Sequence, residues 1–215
     1  MEKELQINWN LDPTGDDDKE LPTDKPSKRR TVECTELSPK FLYRRAFSEA
    51  ALLDACSPPV FELKEGHCYN FITAGDVDSL SYLKLILLHQ DLKHCLCSTW
   101  CMAAEDILQL FTWHEKGKIE VLDIYVGEIF PNQYRIEWQM LMDYYRENPE
   151  TGRLCVFRNH SKIYAGTGNR FAFGIQTSAN INTNPRTENG CIIIDDGIYH
   201  FYKDYFDGIN SFEKI

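Results

Sequence analysis

The sequence predicts an α/β fold: a mixed β-sheet flanked by helices on both faces, preceded by a disordered N-terminal tail. Three observations carry this reading. From about Val60 onward, short strand-like runs alternate with longer stretches of helical periodicity. Glycine, proline, asparagine and aspartate punctuate the joins between them. Apolar residues make up 43% of the 215-residue chain, enough for a substantial core.

The elements follow in order. Residues 1–30 include "DPTGDDDKELPTDKPSKRR", which is charged, turn-forming and poor in apolar side chains. Such a segment cannot bury enough apolar area to offset its ordering entropy, so it reads as a disordered charged tail. Residues 31–59 read as a helical N-terminal extension. Its helix runs through "SPKFLYRRAFSEAALLD", with Ser38 as N-cap and Pro39 as first residue, until "CSPP" breaks the pattern. Residues 60–215 form the main domain.

Within it, "HCYNFITAG" is a strand and "DSLSYLKLILLHQDL" a helix capped by Asp78 or Ser79. "HCLCSTW" is a strand, and "AAEDILQLFTWHEKGK" a helix ending near Gly117, with Lys116 and Lys118 suiting its C-terminal dipole. "IEVLDIYVG" is a strand, and "NQYRIEWQMLMDYYREN" a helix stopped by Pro149. "GRLCVFRN" is a strand that leads into the strand-like "HSKIYAG". "RFAFGIQTS" and "CIIIDD" are further strands, and "YHFYKDYFDGIN" is the last helix. There Tyr199, Tyr202 and Phe206 share a face that packs in the core or against a second copy. No internal repeat is visible.

Charge narrows the function classes. Lys and Arg number 23 against 33 Asp and Glu, a formal charge of −10. A chain this acidic is not a general nucleic-acid coat, so any nucleic acid must meet a local basic patch. No run approaches the roughly 18 apolar residues of a membrane span, so no membrane contact is expected. "MEKELQINWN" lacks the cationic-then-apolar layout of a signal peptide, so a cytoplasmic protein is expected. The eight cysteines then read as reduced core residues. "CLCSTWC" lacks the CxxC pairs of a zinc site, and although His94 is adjacent, Cys95 and Cys97 share one strand face and read as core packing, so no metal and no cofactor are expected.

Two polar clusters stand out. In "RNHSKIYAG", His160 and Lys162 lie two residues apart on an extended chain, so they emerge side by side with Ser161 facing away. An imidazole beside an ammonium is a poor core pair and a good grip for phosphate. The second cluster, "QTSANINTNPRTEN", holds Thr177, Ser178, Asn180, Arg186 and Glu188. It follows a strand that can pair with the strand carrying His160. The two strands would then bring an imidazole, a cation, an amide and a carboxylate to one end of the sheet, a set suited to phosphoryl transfer. Arg158 and Arg186 lie near this end and are candidates for substrate phosphates, with Thr177 beside them. The remaining histidines, His67, His89, His94, His114 and His200, read as structural.

"HSK", followed after a strand by "TSAN", resembles the HxK and GSxN elements of the phospholipase D superfamily. The strand "YNFITAG" and the α/β pattern after it are also similar. The resemblance covers about Val60 to Ile215 and looks like one half of the family's usual two-motif fold, in a small single-motif member of the nuclease-like branch. It implies that His160 is a nucleophile forming a phosphohistidine. Lys162 and Asn180 would hold the non-bridging oxygens and Ser178 would assist. Glu188 would hydrogen-bond the far nitrogen of the histidine and fix its tautomer. It implies a second HxK histidine for the leaving group; this chain has one, so a homodimer would complete the site.

The chain departs from the family pattern at three places. Thr167 stands where the family carries an aspartate, with Asn169 a nearby substitute, Thr177 replaces the first glycine of GSxN, and the spacing from Lys162 to "TSAN" is a few residues longer than the family's. Two functions follow from the resemblance. One is a metal-independent phosphodiesterase, a nuclease. The other is a catalytically weak or inactive nucleic-acid-binding or assembly protein on the same scaffold.

Overall fold

The computed structural model describes residues 40–46, 49–73, 77–181 and 186–213, the first segment by its backbone alone. The tail expected over residues 1–30, together with Ser38 and Pro39, lies outside the described residues.

Among the described residues, eight strands form one mixed sheet. In chain order they are β1 (Lys40–Ala46), β2 (His67–Thr73), β3 (Leu92–Thr99), β4 (Leu122–Gly127), β5 (Leu154–Phe157), β6 (Ile163–Gly168), β7 (Ala172–Thr177) and β8 (Glu188–Ile194). Across the sheet the order is β1-β2-β8-β7-β6-β3-β4-β5. β1 runs parallel to β2, and β3, β4 and β5 run parallel to one another. The pairs β2–β8, β8–β7, β7–β6 and β6–β3 are antiparallel.

The helices are α1 (Glu49–Cys56), α2 (Ser79–His89), α3 (Ala104–Glu115), α4 (Phe130–Gln133), α5 (Arg135–Glu147) and α6 (Asp196–Asp207). Alternate residues of each strand divide between two cores. Cys95, Cys97, Ile124, Val126, Tyr164 and Phe173 face α1, α2, α3 and α5. Leu96, Tyr125, Cys155, Ala165 and Ala172 face α6, packing on Tyr199, Tyr202 and Phe206. The aromatic face of α6 is therefore core. α6 sits close because the strands beneath it carry small residues. A Cβ on Gly174 would stand 2.8 Å from Ile198 Cγ1.

Local signals explain the helix ends. The Asp78 carboxylate accepts from Ser81 N at 3.0 Å and caps α2. The Asp195 carboxylate accepts from Ile198 N at 3.0 Å and caps α6. Each satisfies an otherwise orphaned N–H. α3 ends before Gly117, which adopts φ +67°, a conformation that favours glycine.

Three expectations need correction. Residues 40–46 are not helical: they form β1, registered against β2 at seven positions. Pairing with an open sheet edge outweighs a weak local helical preference, and the helix begins only at Glu49. The helix expected over residues 132–148 starts earlier and breaks at Tyr134, giving α4 and α5. His160 and Lys162 lie just before β6, in its connection from β5, and not within a strand. Among the described residues, seven cysteines carry free thiols, and no helix is long and apolar enough to cross a membrane.

Candidate active site

The antiparallel pair β6–β7 decides where the two polar clusters meet. Ile163 opens β6 opposite Gln176 near the end of β7. The residues preceding β6 and those following β7 therefore emerge at the same edge. β8 joins there too, with Gly190 opposite Thr177. His160, Lys162, Ser178, Asn180, Arg186 and Glu188 consequently line one cavity of about 270 Å³.

Asn159 holds the connection in place. It is 5% exposed, and its amide nitrogen donates to Ser98 Oγ at 3.0 Å and to the carbonyls of Thr99 and Tyr125 at 3.2 Å each. Its Oδ1 accepts from Ser161 N at 2.9 Å and from Ser161 Oγ at 2.7 Å. Ser98 Oγ and Ser161 Oγ lie 2.6 Å apart. This buried network ties residues 159–161 to the ends of β3 and β4, and a fully satisfied network is rigid. Ser161 is absent from the lining of the 270 Å³ cavity that His160 and Lys162 border.

Lys162 Nζ donates to His160 O at 2.8 Å and lies 3.2 Å from His160 Nδ1. An ammonium only donates, so Nδ1 accepts and the ring's proton sits on Nε2 in this arrangement. His160 Nε2 has no hydrogen-bond partner among the described residues. Burial pushes the Lys162 ammonium below the ordinary lysine range, while Cys101 and Glu188 pull it back up.

Glu188 does not reach the imidazole here. Its carboxylate accepts from Ser178 Oγ, and Ser178 Oγ in turn accepts from Asn189 N at 3.0 Å. The hydrogen bond expected between Glu188 and the far nitrogen of His160 is therefore absent from this arrangement. The physical reason is competition: a hydroxyl on the adjoining strand end is closer to hand, and Nδ1 is engaged by Lys162. Asn180 lines the cavity with a buried Oδ1 that has no partner among the described residues. An amide turned over at that position would present a donor.

The other predicted residues fall around this centre. Thr177 Oγ1 donates to Asn189 O at 2.9 Å and accepts from Ala179 N at 3.1 Å. Thr177 lines a separate open cleft of about 570 Å³ that also touches His160 and Lys162. Arg158 is exposed and borders a third groove of about 330 Å³, beside Phe201, Tyr205 and His160. Thr167 pairs with His94 near the far end of β6, and Asn169 is exposed in the β6–β7 turn. Neither lines the cavity, so Asn169 does not take the place of the family aspartate there. Val77 and Trp100 line the cavity and were not legible in the sequence. Asn159 was adjacent to the motif and is signalled only by its place inside "RNHSK".

No protein-family model and no curated protein matches the chain. Solved structures with a similar chain path include phosphatidylserine synthase from Haemophilus influenzae Rd KW20, at TM-score 0.48 and 14% identity. Others are polyphosphate kinase from Porphyromonas gingivalis, at 0.49 and 13%, and TrmBL2, an archaeal chromatin protein with a DNA-binding mode of its own, at 0.45 and 15%. The matches cover 65%, 69% and 74% of this chain and 37%, 27% and 57% of those chains. This chain thus spans well under two thirds of each. At these identities and TM-scores the likenesses carry no functional assignment, and the site must be judged on its own residues.

Proposed function

We propose that the chain is a metal-independent phosphodiesterase that cuts nucleic acid through a phosphohistidine on His160, in a homodimer whose second copy supplies the second imidazole. The observation that carries this reading is the convergence of His160, Lys162, Ser178, Asn180, Arg186 and Glu188 on one cavity. These residues come from two segments that the sheet brings together.

The chemistry follows from the atoms present. A phosphodiester anion entering the cavity competes for the Lys162 ammonium. Lys162 and Arg186 then face the non-bridging oxygens, with the Asn180 amide as a further donor. As Lys162 leaves Nδ1, that nitrogen can take the ring proton and donate it to Glu188, once Glu188 exchanges Ser178 for the imidazole. Nε2 is then a free lone pair. It attacks phosphorus, the bond to the leaving oxygen breaks, and that oxygen takes a proton from the imidazole of the second copy. Water next attacks the phosphohistidine, giving its proton to the same imidazole, and His160 is released. Because the charge stabilisation comes from side chains, cleavage is expected to survive EDTA.

A specific observation favours a second reading. Nδ1 faces Lys162 and Glu188 faces Ser178, so the resting arrangement is not the attacking one. If that arrangement persists with substrate bound, the chain grips phosphate without cutting it.

The deciding experiment offers single- and double-stranded DNA and RNA, and a lipid phosphodiester, to EDTA-treated protein. The lipid is included because the groove beside Arg158 carries exposed aromatic rings. Cleavage of a nucleic acid that is lost in His160→Ala supports the proposal. No cleavage of any substrate between pH 5 and 9, with phosphate binding retained, selects the non-catalytic reading. Light scattering tests the second copy: a mass near twice the 25.0 kDa chain is expected. A strict monomer that still cuts removes the two-imidazole route.

A further inference from the structure

We infer that Trp100 is the positioning residue for His160, a wall that sets the imidazole's orientation in the cavity. The inference rests on the catalytic reading of His160 for its kinetic consequence, and on geometry alone for its contact.

The indole and imidazole centroids lie 5.4 Å apart with planes inclined at 51°. An aromatic pair at this separation is attractive, and its angular preference restrains how the smaller ring turns. His160 needs such a restraint. It is exposed, sits in a connection and not in a strand, and among the described residues its only side-chain hydrogen bond is to Lys162. On the proposed mechanism that bond opens, because Nδ1 has to take the ring proton before Nε2 attacks. Asn159 fixes the backbone on one side of His160, but nothing in its network touches the imidazole. With the ammonium drawn away, Trp100 is the ring in aromatic contact with the imidazole among the described residues.

Trp100 is itself held. It follows the last residue of β3, and the Thr99 carbonyl just before it accepts from the Asn159 amide at 3.2 Å. Gly127 closes β4 directly beneath the indole. A Cβ there would stand 2.8 Å from Trp100 Cδ1 and 3.0 Å from Asn159 O. No side chain fits at Gly127 unless the indole or the connection shifts. The absent side chain thus leaves the space in which Trp100 rests against His160. The path runs Gly127, Trp100, His160, over three separate elements, and the sequence places none of the three next to another.

The test has one arm that needs no catalysis. An imidazole in contact with an indole quenches its fluorescence. Subtracting the emission of Trp100→Phe from that of the wild type isolates Trp100 from Trp9, Trp113 and Trp138, and the same subtraction in a His160→Asn background gives Trp100 without the imidazole. Trp100 should be quenched in the wild type relative to His160→Asn. Equal Trp100 emission in the two backgrounds overturns the contact even if the protein cuts nothing.

The second arm is kinetic. Trp100→Ala should lower kcat on the order of 10-fold to 100-fold, with KM little changed, because Lys162 still binds the phosphate while the attacking nitrogen loses its aim. Trp100→Phe should recover most of that loss. Gly127→Ala should lower kcat in the same direction and reduce the quenching of Trp100. Trp100→Ala with wild-type kcat, or with a loss Phe does not relieve while the fold's melting is unchanged, overturns the inference. An inactive wild type with intact quenching would instead count against the proposed catalysis and leave the contact standing.

Discussion

Two histidines occupy opposite ends of the same antiparallel strand pair, and they differ in how completely they are bonded. His94 lies on β3 opposite Thr167. Its Nε2 is 2.9 Å from Asp123 Oδ2, and its Nδ1 is 3.2 Å from Tyr199 OH. Asp123 is occupied further, accepting from Arg153 N at 2.7 Å. Both ring nitrogens of His94 are spent on tying β3, β4 and α6 together. At the other end, His160 has one nitrogen on Lys162 and one with no partner among the described residues, in a cavity open to ligand. A ring whose nitrogens are both engaged is architecture; a ring with a free nitrogen beside a desolvated cation is available for chemistry.

The largest effects should separate the two. His160→Ala should reduce cleavage by at least about a thousandfold, the usual scale for a lost nucleophile, while melting stays near wild type. His94→Ala should do the reverse. Leaving Asp123 Oδ2 and Tyr199 OH without their partner costs about 1–3 kcal/mol, which lowers the melting temperature by several degrees. Cleavage by the folded protein should persist. Calorimetry and a cleavage assay on both variants check this; interchanged results would break the comparison.

Lys162→Ala comes next. It should weaken phosphate binding and lower kcat together, each by roughly 10-fold to 100-fold, because the ammonium acts on bound substrate and on the transition state alike. Titration with inorganic phosphate beside steady-state kinetics reads both. A kcat loss at unchanged affinity would mean that Lys162 serves only to hold the imidazole. Glu188→Gln should be milder, on the order of 10-fold in kcat. Glu188 bonds Ser178 at rest, so its task with His160 arises only after substrate binds. A loss as large as that of His160→Ala would place Glu188 in the bond-making step itself.

The smallest effect concerns stability alone and sharpens the rule that unpaired buried charge is costly. Asp106, on α3, has its carboxyl pushed up to about 7 by burial, with Asp78, Glu105 and Glu49 adding to it and Lys84 opposing. The folded value lies above the ordinary aspartate value of 3.8, so the folded state favours the protonated form. Asp106 therefore favours folding at low pH and progressively disfavours it as pH rises from about 4 to about 7. Asp106→Asn should raise the melting temperature at pH 8 and leave it unchanged near pH 4. A gain of equal size at both would assign the effect to packing.

Much of the site was legible because its residues lie in two short runs. "HSK" and "TSAN" with Glu188 stand at the ends of three strands that are consecutive in sequence and adjacent in space. Hairpin-like neighbours make such adjacency a local inference. Trp100, Val77 and Asn159 were not legible for a different reason. Trp100 directly follows β3, which reaches the site only because β3 inserts next to β6, and no spacing in the chain announces that pairing. The missing Glu188–His160 bond belongs to the same class. It depends on which hydroxyl and which ammonium stand nearest after packing.

The sequence by itself determined the alternation of strand and helix, the caps at Asp78 and the end of α3 before Gly117, and the identity of the residues that could handle a phosphate. These are short-range properties, set by side-chain period, backbone permissiveness and hydrogen bonds a few residues long. The tertiary structure alone decided that residues 40–46 are a strand, that β8 lies between β2 and β7, and that α6 packs on one face while α1, α2, α3 and α5 pack on the other. It alone set an indole against the imidazole and spent both nitrogens of His94 on structure. Those outcomes depend on which surfaces far apart in the chain can exclude water together, and that competition is settled only when the whole sheet is assembled.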